Sequence, residues 1–250
     1  MNFQNRKRLI VQTVEAKGSV EVRELAELLQ TSEITVRRDL TLLAADGLIY
    51  RTHGGAMKVA LAANPVQFAN KTAVNAANKD HICRLAAQEI REGEIIFMDC
   101  GSTVFRLCQF IRNKRIQVIT NSLPVINELL QSEVMVNLVG GEVDSKRQAV
   151  HGIIAHEHVA RYRAHRAFLG VDGISAANGL SAHSETEAGM TLAMAARADE
   201  VYLLCDSTKL EKDKYVQFAP LSLIQTIVTD PEARPEVLAL YRERGVRVIN

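Results

Sequence analysis

The sequence predicts an α/β protein made of a small winged helix-turn-helix domain and a larger α/β domain. In residues 1–57, three short helical patterns precede a glycine-containing hairpin. From Asp80 onward, short apolar runs alternate with amphipathic helical stretches, which is typical of a mostly parallel sheet with helices on both faces. Residues 58–78 between them are rich in Ala and Asn and weakly periodic, so we expect a linker there and a second domain over 79–250.

Composition excludes several classes of protein. The chain has 30 Lys and Arg against 29 Asp and Glu, so any nucleic-acid-binding surface must be local. No apolar run is long enough for a membrane span, and the first residues lack the apolar segment of a signal peptide, so we expect a cytoplasmic protein with no membrane segment. The four cysteines show neither disulfide nor zinc spacing and predict reduced thiols.

The N-terminal segment has start and stop signals for three helices and a hairpin. Gly18 and Gly47 end helical patterns, and Ser32 suits the N-cap of the third helix. The predicted elements are helices over 6–16, 22–29 and 33–45, followed by a strand, a glycine turn and a return strand over 48–56.

The third helix has one apolar face and one face suited to DNA. At 100° per residue Val36, Leu40 and Leu43 share a narrow arc, and Arg38 lies opposite. Arginine suits guanine or phosphate, threonine a phosphate or base edge, and isoleucine a thymine methyl. Asp39, near the buried arc, is expected to fix a neighbouring arginine. The candidate DNA-binding residues are Ser32, Ile34, Thr35, Arg37, Arg38, Thr41, Arg51 and His53.

Two further points concern this surface. Arg51 and His53, at the hairpin, would reach the DNA backbone or minor groove, and Arg6, Lys7 and Arg8 are placed for phosphate contact. The alternative is that the arginines only form the solvated face of an ordinary helix.

The N-terminal segment carries a colinear set of motif residues: Arg8-Leu9-Ile10, Gly18, Leu25-Ala26, Ser32, Thr35-Val36-Arg37-Arg38-Asp39-Leu40, Leu43, Gly47, Arg51 and His53-Gly54-Gly55-Ala56. In these residues it resembles the DeoR/GlpR family of bacterial transcription regulators. The resemblance implies sequence-specific binding to double-stranded operator DNA.

Polar or glycine-rich loops follow three consecutive predicted strands of the C-terminal segment. The first combines glycine, two hydroxyls and the start of a helix, which together favour phosphate binding. Strand ends of an open α/β sheet converge on one crevice, so the three loops predict a binding pocket, although each alone is equally compatible with a structural turn. They are Asp99-Cys100-Gly101-Ser102-Thr103, Thr120-Asn121-Ser122 and Gly140-Gly141-Glu142.

Two later strand ends carry an aspartate each. Asp172-Gly173 follows one strand, and Asp206 follows another, with Lys209 placed to neutralise a phosphate or a sugar acid. The alternative is that both aspartates only cap turns.

The family resemblance continues over nearly the whole chain. DeoR-type sensor domains look like the phosphosugar-isomerase fold, of which ribose-5-phosphate isomerase is a member, and bind phosphorylated sugars. The same loops match, together with Glu187-Ala188. By that resemblance Ser102, Thr103 and Asn121 would hold the phosphate, while the sugar end would be lined by Asp99, Asp172, Glu187 and Lys209.

The sequence thus predicts a cytoplasmic bacterial repressor of a carbohydrate-utilisation operon, released from DNA by a phosphorylated sugar. One winged domain contacts few base pairs, so we expect a homo-oligomer, a dimer or a tetramer as in the family. Alternatives are a phosphosugar isomerase-like enzyme with a DNA-targeting domain, or an activator. No nucleotide, dinucleotide or esterase motif occurs and no cofactor is expected. No metal is expected either, because His156 and His158 would point about 200° apart on a helix.

Overall fold

The computed structural model describes residues 3–45, 48–51, 54–57, 72 and 74–250. The chain divides into two compact units, Met1–Ala69 and Asn70–Asn250. The first contains a winged helix-turn-helix and the second a parallel α/β sheet with helices on both faces, so the predicted fold class is confirmed.

The described part of the first unit contains three helices and a three-stranded antiparallel sheet of order β1-β3-β2. The third helix has the predicted bounds, whereas β1 was not predicted, because three residues between two helices give no detectable alternation. The elements are α1 Phe3–Lys17, β1 Ser19–Glu21, α2 Val22–Leu28, α3 Glu33–Ala45, β2 Tyr50–Arg51 and β3 Gly55–Met57.

The core of the first unit forms where the three helices meet the sheet. Val36, Leu40 and Leu43 of α3 are buried, as their shared arc predicted. Strand β1 pairs with β3, and a Cβ on Gly55 would lie 2.0 Å from the Val20 carbonyl oxygen. The third strand therefore needs glycine at this position.

The second unit is built around a seven-stranded sheet of order β15-β14-β12-β9-β4-β5-β6, in which every neighbouring pair is parallel. Its helices are α4 Ala76–Gln88, α5 Ser102–Phe105, α6 Cys108–Ile111, α7 Leu123–Leu129, α8 Ile153–Ala160, α9 Glu185–Ala195 and α10 Pro235–Glu243. The strands are β4 Ile95–Met98, β5 Gln117–Thr120, β6 Met135–Leu138, β7 Glu142–Asp144, β8 Ala149–His151, β9 Ala164–Leu169, β10 Gly173–Ser175, β11 Gly179–Ala182, β12 Ala198–Leu204, β13 Val216–Ala219, β14 Thr226–Val228 and β15 Arg247–Ile249.

Alternate residues of each central strand enter separate cores on the two faces of the sheet. In β4, Ile96 and Met98 pack with α4 to α7, whereas Phe97 packs on the other side with α8 to α10. The period of two along a strand produces this division. Both faces of the sheet are therefore buried, which explains why its strands are nearly continuous apolar runs.

Several local predictions were wrong. The amphipathic stretch that follows β4 forms two four-residue helices, α5 and α6, instead of one continuous helix. Helix α4 starts inside the range 58–78 assigned to a linker, after Asn75 at φ +55°; the rest of that range, apart from 72, 74 and 75, lies outside the described residues. The hairpin β7–β8 and the small sheet β10-β11-β13 were missed, since strands of three or four residues carry little periodic signal.

Strand order places a crevice at the centre of the sheet. From β4 the chain proceeds to β5 and β6 on one side, and later to β9, β12, β14 and β15 on the other. Loops that leave β4 and β9 at their carboxyl ends therefore diverge, and open α/β sheets bind ligands at such a switch point.

Within the described residues, none of the helices has the length and apolar composition needed to span a bilayer.

Candidate functional site

The exposed face of α3 presents the side chains proposed for DNA. Ile34 is 80% exposed, and Arg38 is also exposed. Arg37 pairs with Glu33 at 3.1 Å, one turn earlier, and the Thr41 hydroxyl donates to the Arg37 carbonyl at 2.8 Å. The helix therefore offers a cation and an apolar side chain to a groove, with Arg37 and Thr41 oriented along its surface.

Ser32 is the N-cap of α3, as predicted. Its hydroxyl accepts a hydrogen bond from the Thr35 amide at 3.3 Å and lies 3.0 Å from the Thr35 hydroxyl. Arg51 lies in β2, where its backbone pairs with Ala56, but its side chain is outside the described residues, as is the whole of His53. DNA contact by these residues stays a prediction.

One basic residue assigned to DNA phosphate has a different role. Arg6 donates to the carboxylate of Asp39 through Nε at 2.6 Å and Nη2 at 3.1 Å. Asp39 is buried, so it does fix an arginine as predicted, but the partner lies on α1 rather than on α3. Arg6 is thus held by Asp39 while Arg8 is exposed, and phosphate contact by these residues stays a prediction.

Asp99 joins the two loops that diverge at the switch point of the larger sheet. Its Oδ1 accepts the Gly101 amide at 2.7 Å, and its Oδ2 accepts the Gly170 amide at 2.6 Å. A Cβ on Gly101 would lie 2.9 Å from Asp99 Oδ1 and 3.4 Å from the Gly170 Cα. The predicted phosphate loop is thus tied to the end of β9 through one carboxylate and two glycines.

The environment of Asp99 changes its acidity. Burial raises the pKa of this carboxyl to about 6, against the opposing effects of its two backbone hydrogen bonds and of the Lys209 charge. Asp172 contributes in the same direction as burial. The ionised form of Asp99 is therefore stabilised by the two backbone amides and destabilised by burial.

The second predicted loop is braced by the β7–β8 hairpin. Asn121 Nδ2 donates to the Val150 carbonyl at 3.0 Å, and the Val150 amide donates to the Asn121 carbonyl at 2.8 Å. Thr120 Oγ1 accepts the Ser122 amide at 3.0 Å, and Ser122 caps α7 through the Val125 amide. Hydrogen bonds thus hold this loop against β8.

Buried polar atoms without a protein partner occur in both of these loops. Thr103 Oγ1 and Asn121 Oδ1 have no hydrogen-bond partner, although the two residues are only 2% and 0% exposed. Both imidazole nitrogens of buried His151, at the end of β8, are likewise unpartnered, and burial lowers its pKa. Since buried polar groups usually have partners, these atoms are suited to a ligand or to water.

Three cationic side chains lie around the loops. Lys79 of α4 donates to Ser102 Oγ at 3.2 Å, and Lys209 donates to the Val171 carbonyl at 2.7 Å. Arg147, in the turn of the β7–β8 hairpin, forms an ion pair with Glu187 in the first turn of α9. Burial raises the pKa of Cys100, in the phosphate loop, to about 12, and the positive charge of Arg147 acts on this pKa in the opposite direction.

The remaining predicted residues have structural contacts. The Gly140 amide donates to His158 Nδ1 at 3.0 Å, and Gly141 and Gly173 lie against the carbonyls of His151 and Lys212. Asp172 accepts the His183 amide at 3.0 Å, and Asp206 accepts the Thr208 amide at 3.2 Å. The turn-capping alternative therefore describes Asp206, and ligand contact by these residues stays a prediction.

Sequence reasoning missed Lys79, Arg147 and His151. Lys79 lies at the edge of a segment assigned to a linker, and the other two lie in a hairpin that was not predicted.

His156 and His158 differ in their surroundings, since His156 lies against Gly189 and His158 bonds to Gly140 and Tyr162. Within the described residues, no three His, Cys, Asp or Glu side chains are grouped as metal ligands.

A winged helix-turn-helix and an α/β unit with a polar crevice together define a regulator with separate DNA-binding and sensor domains. Two family models match in that order: the DeoR-like helix-turn-helix domain over residues 6–60 and the DeoR C terminal sensor domain over residues 74–231. The second alone covers more than half of the chain. The chain therefore belongs to the DeoR family of transcriptional regulators.

Curated relatives extend over nearly the same length. The chain is 33% identical over 245 residues to an L-fucose operon activator from Haemophilus influenzae, covering 98% of this chain and 97% of that protein. It is 33% identical over 234 residues to a lactose phosphotransferase system repressor from Streptococcus mutans, covering 92% and 93%. Among solved structures, ribose 5-phosphate isomerase A from Methanocaldococcus jannaschii aligns with a TM-score of 0.40 and 19% identity, covering 54% of this chain and 55% of the other.

Proposed function

We propose that this regulator is a repressor of a carbohydrate-utilisation operon and leaves its operator when a phosphorylated sugar binds the crevice of the α/β domain. The carrying observation is the pair of buried, unpartnered polar atoms, Thr103 Oγ1 and Asn121 Oδ1, on two adjacent strand-end loops. Cationic side chains beside the same loops provide attraction for an anion. The relatives named for an L-fucose operon and for a lactose phosphotransferase system support a sugar as the rest of the ligand.

In the proposed mechanism, the sugar phosphate shifts a conformational equilibrium. The ligand binds one conformation of the α/β domain more tightly, and in that conformation the two DNA-binding domains of an oligomer no longer match their half-sites. Coupling of this kind is typically worth roughly 1–3 kcal/mol, or about 5- to 150-fold in operator affinity. A dimer or tetramer in the cytoplasm fits this proposal, because one winged domain contacts few base pairs.

The state of Asp99 favours sensing over turnover. Isomerisation of a phosphosugar requires a base that removes a proton next to a carbonyl. Both carboxylate oxygens of Asp99 already accept backbone amides of Gly101 and Gly170, so this carboxylate fixes loops instead of facing a substrate. We therefore expect no interconversion when candidate phosphosugars are incubated with the protein.

The test is fluorescence anisotropy of the protein on its own upstream DNA at fixed salt, titrated with a panel of phosphorylated sugars. One sugar phosphate is expected to release the DNA at micromolar concentration, while its unphosphorylated parent has no effect. DNA binding that no sugar phosphate alters would overturn the effector assignment, and binding that strengthens with a sugar would overturn the proposed direction of the response.

A charge-reversing variant locates the site. Ser102→Glu places a carboxylate in the phosphate loop and is expected to abolish release by like-charge repulsion. Ser132→Glu is the matched control. The Ser132 hydroxyl donates to the Leu129 carbonyl at the C-terminal end of α7, away from the strand ends that form the crevice. Equal responses of the two variants would place the effector elsewhere.

A further inference from the structure

The outer edge of the seven-stranded sheet, at β6, is apolar and exposed. Within the described residues β6 pairs with β5 alone, so one side of its backbone has no strand partner there. Exposed apolar side chains are concentrated in this part of the chain, and Met135 and Ile153 are 65% and 79% exposed. We call the set the β6 edge, and its members are Leu130, Met135, Leu138, Val143, Ile153 and Ile154.

The β6 edge is apolar on both faces of the sheet. Val136 packs with the core that contains α4 to α7, and Val139 belongs to the core that contains α8 to α10. Because side chains alternate along a strand, Leu138 lies on the first face and Met135 on the second. Whatever covers this edge must therefore contact both faces of the sheet as well as the backbone of β6.

Two helices bring further members of the set to the same strand. Leu130 is the C-cap of α7, which packs against β6. Helix α8 is held at the carboxyl end of β6, where the Gly140 amide donates to His158 Nδ1 at 3.0 Å. Ile154 lies one turn before His158 on the same side of this helix. The β6 edge is thus flanked by apolar side chains of α7 and of α8.

The two edges of the sheet differ in charge. At the opposite edge, Arg247 of β15 donates to both carboxylate oxygens of Glu89 at 2.7 and 3.0 Å. Residues 134–141, which include β6, carry no charge and no proline. Natural edge strands that remain in solvent are usually blocked by such groups, so this strand is suited to pairing. An identical strand can lie beside it without opposing like charges.

The size of the apolar surface fits an interface between proteins. The exposed parts of the six side chains amount to roughly 300–400 Å². Contiguous apolar patches of this size on a soluble protein often mark interaction sites. The patch supplies about half of the roughly 800 Å² that each partner buries in a stable complex, before the backbone of β6 and the neighbouring polar side chains are added.

We propose that a second copy of this chain covers the β6 edge, with the two β6 strands antiparallel about a two-fold axis, so that the two sheets continue as one. A second copy supplies a strand for the backbone and apolar side chains for both faces. The inference rests on the proposed function, which requires at least two copies, and names the surface that joins them. This surface adjoins the crevice, because the β7–β8 hairpin presents Val143 to the edge and binds Asn121 through Val150.

The test measures the mass of the full-length chain by sedimentation velocity. Leu138→Lys places two lysines near the two-fold axis, whereas Leu240→Lys is the matched control. Both leucines are 41% exposed, and Leu240 lies on α10, which packs against β15 at the opposite edge. The wild type and Leu240→Lys are expected to sediment as a dimer or a tetramer, and Leu138→Lys at half that mass.

Three outcomes would overturn the proposal: a monomeric wild type, a wild-type mass for Leu138→Lys, or an equal loss of mass in both variants. A monomeric wild type would mean that another segment of the same chain covers the edge. Thermal unfolding checks that each variant folds. Met135→Lys, on the other face of the sheet, replaces Leu138→Lys if that protein lacks a cooperative transition.

Operator release separates this inference from the function on which it rests. Assembly that depends on Leu138, with no sugar phosphate releasing DNA, would support the interface and overturn the proposed effector response. Release of the wild type by a sugar phosphate, with Leu138→Lys at the wild-type mass, would support the repressor and overturn the interface.

Discussion

Arg6 and Asp39 join the first helix of the winged domain to the helix proposed for the major groove. Two hydrogen bonds, at 2.6 and 3.1 Å, connect the guanidinium to a carboxylate that is buried in the domain. The carboxylate raises the pKa of Arg6, mainly through these bonds. The pair thus fixes the buried side of α3 to α1, while the opposite face of α3 is exposed.

Replacing Arg6 should therefore act on stability. Arg6→Gln leaves the Asp39 carboxylate buried without its cation and should lower the thermal midpoint of the winged domain. Arg8→Gln is the control: Arg8 is exposed, so its loss should leave the midpoint unchanged and reduce the salt dependence of DNA binding by about one unit of slope. Calorimetry and salt titrations separate the two effects, and an unchanged midpoint for Arg6→Gln would contradict this role.

Arg38→Ala should weaken operator binding by roughly 1–3 kcal/mol, because the exposed guanidinium lies at the centre of the face offered to DNA. Binding of a sugar phosphate to the α/β domain should not change. The matched variant is Arg23→Ala on α2, where the arginine is also exposed and pairs with Glu27 at 3.4 Å. Anisotropy with operator DNA measures both, and equal affinities of the two variants would remove Arg38 from the interface.

Two adjacent glycines should respond differently to alanine. A Cβ on Gly55 meets the Val20 carbonyl oxygen at 2.0 Å, whereas one on Gly54 meets nothing within 4 Å. Gly55→Ala should force β1 and β3 apart and destabilise the winged domain by roughly 1–3 kcal/mol or more. Gly54→Ala should stay close to wild type. Chemical denaturation of the two variants checks this, and similar losses for both would show that the strand contact is unimportant.

Asp99 should make the stability of the α/β domain fall between about pH 4 and pH 6. Its pKa rises from 3.8 to about 6 on folding, so the folded state holds the proton to higher pH. The contribution of Asp99 to the free energy of unfolding, about 3 kcal/mol, is fully present below pH 4. It is lost as the pH rises through 6. Urea unfolding of wild type and Asp99→Asn should therefore differ by an amount that changes across this window. A constant difference would show that Asp99 titrates normally.

Periodic and local features were the predictable part of this protein. The bounds of α3, its N-cap Ser32 and the buried positions Val36, Leu40 and Leu43 follow from helical periodicity and capping chemistry. The central strands follow from their apolar runs. The short strands β1, β7, β8 and β10 were not predictable, because a strand of only three residues carries little local preference.

The sequence by itself determined the order of elements, the two kinds of domain and the polar loops that follow the parallel strands, because these depend on local patterns along the chain. The tertiary structure alone decided which side chains meet. It paired Arg6 with Asp39, Asp99 with the Gly170 amide, and Lys79 with Ser102. Such contacts depend on strand order and helix packing, which bring together residues separated by 23 to 71 positions.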